Sequence, residues 1–341
     1  MHRPTVSKQI THFFLSKQRT SGGIIDMTIA FTFPGQGSQA VGMGSELKES
    51  FATARETFQE IDDALGQNLS KIMAEGPQET LTLTENAQPA LMAVSMAMVR
   101  VLEKDYNYIV ADHATFVAGH SLGEYSALAA AGAFSVADAA RLLKTRGQAM
   151  QAAVPVGEGA MAALLGLELE DAQALALKAA EGDVCQVAND NAPGQVVISG
   201  AKSAVERAVD LAKEFGARRA VLLDVSAPFH CALMEPAVEV MADALAGVDV
   251  RAPSVPLVAN VTSDAITTPE DVVKNLLDQV TGTVRWRESV GYIASNGVDQ
   301  MLEIGSGKVL SGLARRIERS LAATPLGTPK DIDAYFEKLN A

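Results

Sequence analysis

The sequence has little cysteine, no long apolar run and no surplus of positive charge, and each shortage removes a class of function. Two cysteines, Cys185 and Cys231, stand among 341 residues. Neither belongs to a CxxC pair and neither lies beside a pair of histidines, so neither a disulfide framework nor a structural zinc site is indicated, and a reducing cytoplasm is the expected compartment. No apolar stretch reaches the roughly 18 residues that a membrane span requires, so membrane is not an expected partner. The formal net charge is −13, which repels a phosphate backbone and argues against nucleic acid. Histidine is scarce too: five in the whole chain, which narrows any search for a general base.

What the chain does have is apolar mass. Hydrophobic residues make up 48% of 341 positions, more than one compact core usually absorbs, so two domains are expected. Residues 1–26 differ from the rest. They carry Arg3, Lys8, Lys17 and Arg19 against Asp26, a charge of +3, which leaves −16 for residues 27–341. No long apolar core follows those charges, so this stretch reads as an extension outside the fold rather than a targeting peptide.

From Thr28 onward, strand-like and helix-like runs alternate. Thr28 to Phe33 reads as a strand broken by Pro34. "AQPALMAVSMAMVRVL" is apolar all round and reads as a buried helix with Pro89 near its start. "ATFVAGHS" is strand running into a tight turn, with helix following at once. Such alternation predicts a parallel sheet covered on both faces. Between about 156 and 226 the order changes to β-α-β-β-α-β, with a Pro193-Gly194 turn between the middle strands and a last strand over "AVLLDVS"; that is the split βαβ unit of ferredoxin-like domains. The expected fold is therefore α/β: a parallel-sheet, α/β hydrolase-like large domain (27–155 and 227–341) with an inserted small ferredoxin-like domain (156–226).

"FVAGHSLGEYSAL" carries the chemistry. Ser121 before a helix is ordinarily a cap. Placed between a strand and a helix in GxSxG, it also meets the requirements of a nucleophile elbow, in which the Leu122 N–H faces the reacting carbonyl oxygen. A serine hydroxyl needs a base. His2 and His12 lie in the extension, His113 sits in a polar link, and His120 neighbours Ser121 but points another way. His230, in "DVSAPFHCALM", is left, as base or as a core histidine. Arg146 fills a slot on the apolar stripe of a helix that begins with Ser135 as cap. A guanidinium there needs an anion, either an internal carboxylate or one carried by a substrate. Two glycine-rich segments are decoys. "GQGSQA" lacks the second strand and acid of a dinucleotide fold, and "GSGKV" lacks the first glycine and the hydroxyl residue of a phosphate loop.

Taken together, "FPGQGSQ", "GHSLGEYSAL", "TRGQAMQ", "NAPGQVVISG", "PFHCALM" and "GSGKVLSGL" resemble, in order, the malonyl-CoA:acyl carrier protein transacylases and the related acyltransferase domains of fatty acid and polyketide synthases. The resemblance runs from about Thr28 to Ile317. It implies Ser121 as nucleophile, His230 as base and Arg146 as clamp for the free malonyl carboxylate. It further implies Gln36 and Leu122 as oxyanion donors, and the Gln279 backbone carbonyl as the group orienting His230. Phe229 is the residue that goes with malonyl rather than methylmalonyl selection. The partners implied are malonyl-CoA as substrate and acyl carrier protein as acceptor, with no cofactor and no metal, in a protein expected to be a monomer. The family commonly has Gly-Pro-Gly where this chain has Gly305-Ser306-Gly307.

A serine esterase or thioesterase shares GxSxG, but predicts the order serine, acid, histidine with the histidine near the C-terminus, and leaves Arg146 unexplained. A protein-interaction module explains neither the elbow nor the arginine. Two basic clusters are candidates for steering an acidic carrier protein: Arg218 with Arg219, and Arg315, Arg316 and Arg319 with Lys308, the second being preferred for its place at the carboxyl edge of the sheet.

Overall fold

The computed structural model describes residues 28–340; the readings made for residues 1–26, with His2 and His12, lie outside them. Ten strands form two sheets: β1 Ile29–Phe33, β2 Ala114–Gly119, β3 Gly159–Leu165, β4 Cys185–Ala192, β5 Gln195–Ala201, β6 Arg219–Leu222, β7 Leu257–Val258, β8 Ala265–Ile266, β9 Gln300–Ile304 and β10 Ala322–Leu326.

The larger sheet has the order β10-β9-β1-β2-β7-β8. Its strands pair in parallel except at one edge, where β8 runs antiparallel to β7. This hairpin lies outside the alternation read from the sequence, because a two-residue strand leaves almost no periodic signal. Alternation assigns the faces. Ile29, Phe31, Phe33, Val117, Leu302 and Ile304 point into a core formed with helices Thr84–Asp105 and Val136–Ala153. Ala30, Phe116, Ala118 and Met301 point into a second core formed with helices Trp286–Ser295 and Val309–Ile317. Both faces are thus buried, as parallel strands require.

Helix Thr84–Asp105 begins earlier than its apolar run implies, so Pro89 lies inside it rather than at its first turn. The missing N–H therefore removes an internal bond to Glu85 O, a cost that near-complete burial of the helix outweighs. Likewise, the residues from Ser45 to Leu65 form two helices, Ser45–Ser50 and Ala52–Leu65, broken at Phe51, whose backbone is extended.

The four-stranded sheet lies in sequence between β2 and β7 and has the order β4-β5-β3-β6, all antiparallel. Helices Leu169–Ala180 and Lys202–Leu211 cover one face over Ala162, Leu164, Val196 and Ile198. This is the ferredoxin-like arrangement. Met161, Ala188 and Val197 join the main core with Phe229 instead. The last strand ends at Leu222, short of the expected Ser226, and an irregular segment leads to His230.

The two sheets are sewn together beside the site. Asp190 N–H donates to Val284 O and Val284 N–H to Ala188 O, both at 2.9 Å. Arg287 donates through Nε to Asp190 Oδ2 at 2.8 Å and through Nη1 to Glu168 Oε2 at 3.1 Å. No helix among the described residues is long and apolar enough to cross a membrane.

Candidate active site

Three neighbouring parallel strands, β1, β2 and β7, end on the same edge of the large sheet, and their following residues converge. After β2 the chain turns sharply, and Ser121 takes a φ of 53°, left-handed for a residue with a side chain. The two glycines explain why the turn can close. A Cβ on Gly119 would lie 1.9 Å from Gly123 C, and one on Gly123 would lie 2.2 Å from Phe33 O. Asn260, just beyond β7, holds the strained turn from the other side. It accepts from Ser121 N–H at 2.8 Å and donates to Gly119 O at 2.7 Å.

Ser121 Oγ and His230 Nε2 are 2.8 Å apart, and His230 Nδ1 is 2.8 Å from Gln279 O. A backbone carbonyl only accepts, so Nδ1 carries the proton, Nε2 presents its lone pair, and the Ser121 hydroxyl donates to it. Burial, reinforced by the charge of Arg146, pushes the His230 imidazole down to about 3. It is therefore neutral, in the form a base needs. His230 also lines a cavity of about 520 Å³ with Gln173, Cys185, Gln186 and Thr283.

Arg146 is 2% exposed, on the buried stripe of a helix capped, as expected, by Ser135 Oγ accepting from Asp138 N–H. Its Nη1 donates to Gln88 Oε1 at 2.8 Å, and its Nη2 to Gln279 Oε1 at 2.9 Å and to Ser121 Oγ at 3.2 Å. The guanidinium carbon sits 5.7 Å from the centre of the Tyr125 ring. No carboxylate forms an ion pair with it among the described residues. The internal salt bridge open to it on sequence grounds is absent there, and a buried cation held by neutral groups alone faces the Ser121 hydroxyl. Gly147 makes this possible: a Cβ there would lie 2.6 Å from Glu85 Cα, so glycine lets the two helices meet and brings Arg146 onto Gln88.

Gln36 follows β1 in a loop that lies on the elbow, since a Cβ on Gly35 would meet His120 O at 2.7 Å. Neither the Gln36 nor the Leu122 N–H donates to a backbone carbonyl among the described residues. Ser306, where a proline was expected, donates its hydroxyl to Ser38 O at 2.8 Å and so ties down the loop that carries Gln36. Phe229 is buried beside His230. His120 turns away, with Nε2 2.8 Å from Asn191 Oδ1, and His113 stacks on Tyr108. The GSGK segment is no anion site, because Glu303 already caps the helix that follows, accepting from Leu310 and Ser311 N–H. Of the late basic cluster, Arg316 donates to Pro193 O at 3.1 Å and Arg315 to Ala323 O at 3.2 Å, so both serve the fold.

Four contributions escaped the sequence reading: Asn260, Gln88, Glu124 and the side chain of Gln279. Gln88 left a signal, as a polar residue in a helix apolar all round. Glu124 left one as well, a carboxylate in an alanine-rich buried helix, but it reads equally as an acid complementing a helix N-terminus. Asn260 and Gln279 left none, since their roles exist only once distant segments meet.

The acyl transferase domain model matches residues 30–322. A curated relative from Bacillus subtilis strain 168, named malonyl CoA-acyl carrier protein transacylase, is 46% identical over 91% of this chain and 97% of its own length. The crystal structure of acyl-carrier-protein S-malonyltransferase from Bartonella henselae superposes with a TM-score of 0.90 at 57% identity, covering 92% of this chain and all of that one (100%). A type II polyketide acyl carrier protein in complex with its malonyl-transacylase gives 0.88 at 42% identity, covering 91% and 99%. With the domain model matching residues 30–322 and these relatives covering about nine-tenths of its length, this chain belongs to the acyl transferase domain family.

Proposed function

We propose that this enzyme moves a malonyl group from malonyl-CoA to the phosphopantetheine thiol of acyl carrier protein, through a malonyl ester on Ser121, in the supply of extender units for fatty acid or polyketide synthesis. Ser121 Oγ attacks the thioester carbonyl as its proton passes to His230 Nε2. The tetrahedral oxyanion is held by the N–H groups of Leu122 and Gln36, and each such donor typically lowers the barrier by about 2.7 to 4 kcal/mol. Coenzyme A leaves as a thiol with the proton from His230. The carrier thiol then repeats the sequence in reverse, giving its proton to His230 as it attacks the ester and restoring the Ser121 hydroxyl. Gln279 O keeps His230 in the tautomer both steps need, and Arg146 grips the distal carboxylate of the acyl group. Phe229 helps close the pocket around it, favouring the unbranched malonyl group.

One observation carries this reading. The same serine hydroxyl accepts from Arg146 at 3.2 Å and lies 2.8 Å from His230, and a buried cation beside the serine supports an acyl group that ends in a carboxylate. The esterase alternative expects an acid to orient the histidine, and here a backbone carbonyl does so. A chase experiment separates the two. Enzyme loaded with malonyl-CoA should release its acyl group to added holo-acyl carrier protein at least about a hundredfold faster than to water. Equal rates would identify a hydrolase.

A further inference from the structure

Behind the nucleophile lies a buried carboxyl group that neither transfer step uses. Glu124, in the first turn of the helix after Ser121, is 0% exposed. Its Oε2 accepts from Gln279 Nε2 at 2.6 Å and from Asn260 N–H at 3.2 Å. Its Oε1 has no partner among the described residues. Gln279 relays the contact, because its Oε1 accepts from Arg146 Nη2 at 2.9 Å while Nε2 also donates to Ser121 O at 3.1 Å. One carboxamide therefore stands between a buried carboxylate and a buried guanidinium that form no direct ion pair. An acyl group bringing its own carboxylate to Arg146 adds a second anion to a pocket with one cation. Like charges so placed, away from water, oppose each other.

We propose that Glu124 is a specificity-determining residue: it competes with the carboxylate of the acyl group for the charge of Arg146, so that loading a carboxylate-bearing acyl group is coupled to protonation of Glu124. This rests on the reading of Arg146 as the carboxylate clamp. Burial raises the Glu124 carboxyl to about 7 against the opposing pull of Gln279, Asn260 and Arg146. The other titratable groups of the site hold their state near neutrality. Arg146 stays charged, the Tyr125 hydroxyl is pushed up to about 12, the His230 imidazole is pushed down to about 3, and burial lowers His120. Acylation itself is proton-neutral, because the Ser121 proton ends on the coenzyme A thiol, and the proton that Glu124 gains comes from solvent. The loaded state raises the Glu124 carboxyl further, so malonyl loading is favoured while Glu124 is protonated and opposed once it ionises above about 7.

Ser121 acylation should be followed with malonyl-CoA and acetyl-CoA between about pH 6 and pH 8.5, in the unaltered enzyme and in Glu124→Gln, whose amide oxygen can still accept from Gln279. Acetyl carries no carboxylate and cancels every pH effect common to both substrates. The ratio of malonyl to acetyl kcat/KM should fall roughly tenfold across that range in the unaltered enzyme, a size usual for coupled sites, and stay level in Glu124→Gln. A level ratio in the unaltered enzyme, or the same fall in the variant, overturns the proposal. Should the variant fail to fold, proton uptake by the unaltered enzyme decides. Stoichiometric loading at pH 7 in a weakly buffered indicator solution should draw protons with malonyl-CoA and none with acetyl-CoA, and equal uptake overturns the coupling. If malonyl-CoA does not acylate Ser121 at all, the failure belongs to the function proposed above.

Discussion

At the scale of single residues, the site sets three side chains against their usual preferences: a serine and a histidine with left-handed backbones, φ 53° and 59°, and a buried arginine with no carboxylate paired to it among the described residues. Such strain persists only where the surroundings impose it. On the proposed function, Arg146→Ala removes the cation that meets the distal carboxylate. Leaving a buried charge unpaired costs about 3 to 5 kcal/mol, so malonyl transfer should fall by roughly two to four powers of ten while acetyl transfer falls far less. Parallel losses with both substrates would make the arginine structural. The state of His230 gives a second test. An ordinary imidazole gains its proton near pH 6.5, but this one is held down to about 3 by burial and by Arg146. The acetyl transfer rate should therefore stay level from about pH 8 to pH 5. An inflection near 6.5 would show that water reaches the ring.

At the scale of elements, the placement of Arg146 depends on how closely two helices approach. Alanine in place of glycine inside a helix ordinarily stabilises by about 1 kcal/mol. At Gly147, however, a Cβ would come within 2.6 Å of Glu85 Cα and 2.7 Å of Glu85 N, backbone that cannot swing aside, and overpacking of that kind costs about 1 to 3 kcal/mol. The clash should win. Gly147→Ala should lower the unfolding midpoint in denaturant and reduce the preference for malonyl over acetyl, because Arg146 is drawn away from Gln88 and Gln279. A stabilised variant with unchanged preference would contradict this. The same elements show what local sequence reveals. The elbow was legible because strand, two glycines and helix are contiguous, and the Ser135 cap because Asp138 follows at a fixed interval. The β7–β8 hairpin and the position of Pro89 were not. A two-residue strand has no period to read, and a helix start set by packing at Thr84 overrides the local preference for proline in a first turn.

At the scale of the molecule, the Ser121–His230 contact requires the two sheets to keep their relation, since His230 follows the small sheet and Ser121 belongs to the large one. Arg287 is a main tie between them, and it covers Asp190, which is 1% exposed and whose carboxyl is raised by burial against the pull of that arginine. Arg287→Ala should lower stability by about 1 to 3 kcal/mol, below the figure for a fully buried pair because the arginine keeps partial access to water, and should slow transfer of every acyl group alike. An unchanged unfolding midpoint would remove the tie from the account. The two-sheet plan was legible as a change of rhythm near residue 156, whereas the seam was not, because Asp190, Val284 and Arg287 come together only through the fold. The central claim is that Ser121 carries the acyl group between two thiols, and intact-mass measurement tests it most directly. After mixing with malonyl-CoA, the protein should gain the mass of one malonyl group, located on Ser121, absent in Ser121→Ala and discharged by holo-acyl carrier protein. An unmodified protein, or an adduct that survives in Ser121→Ala, would contradict it.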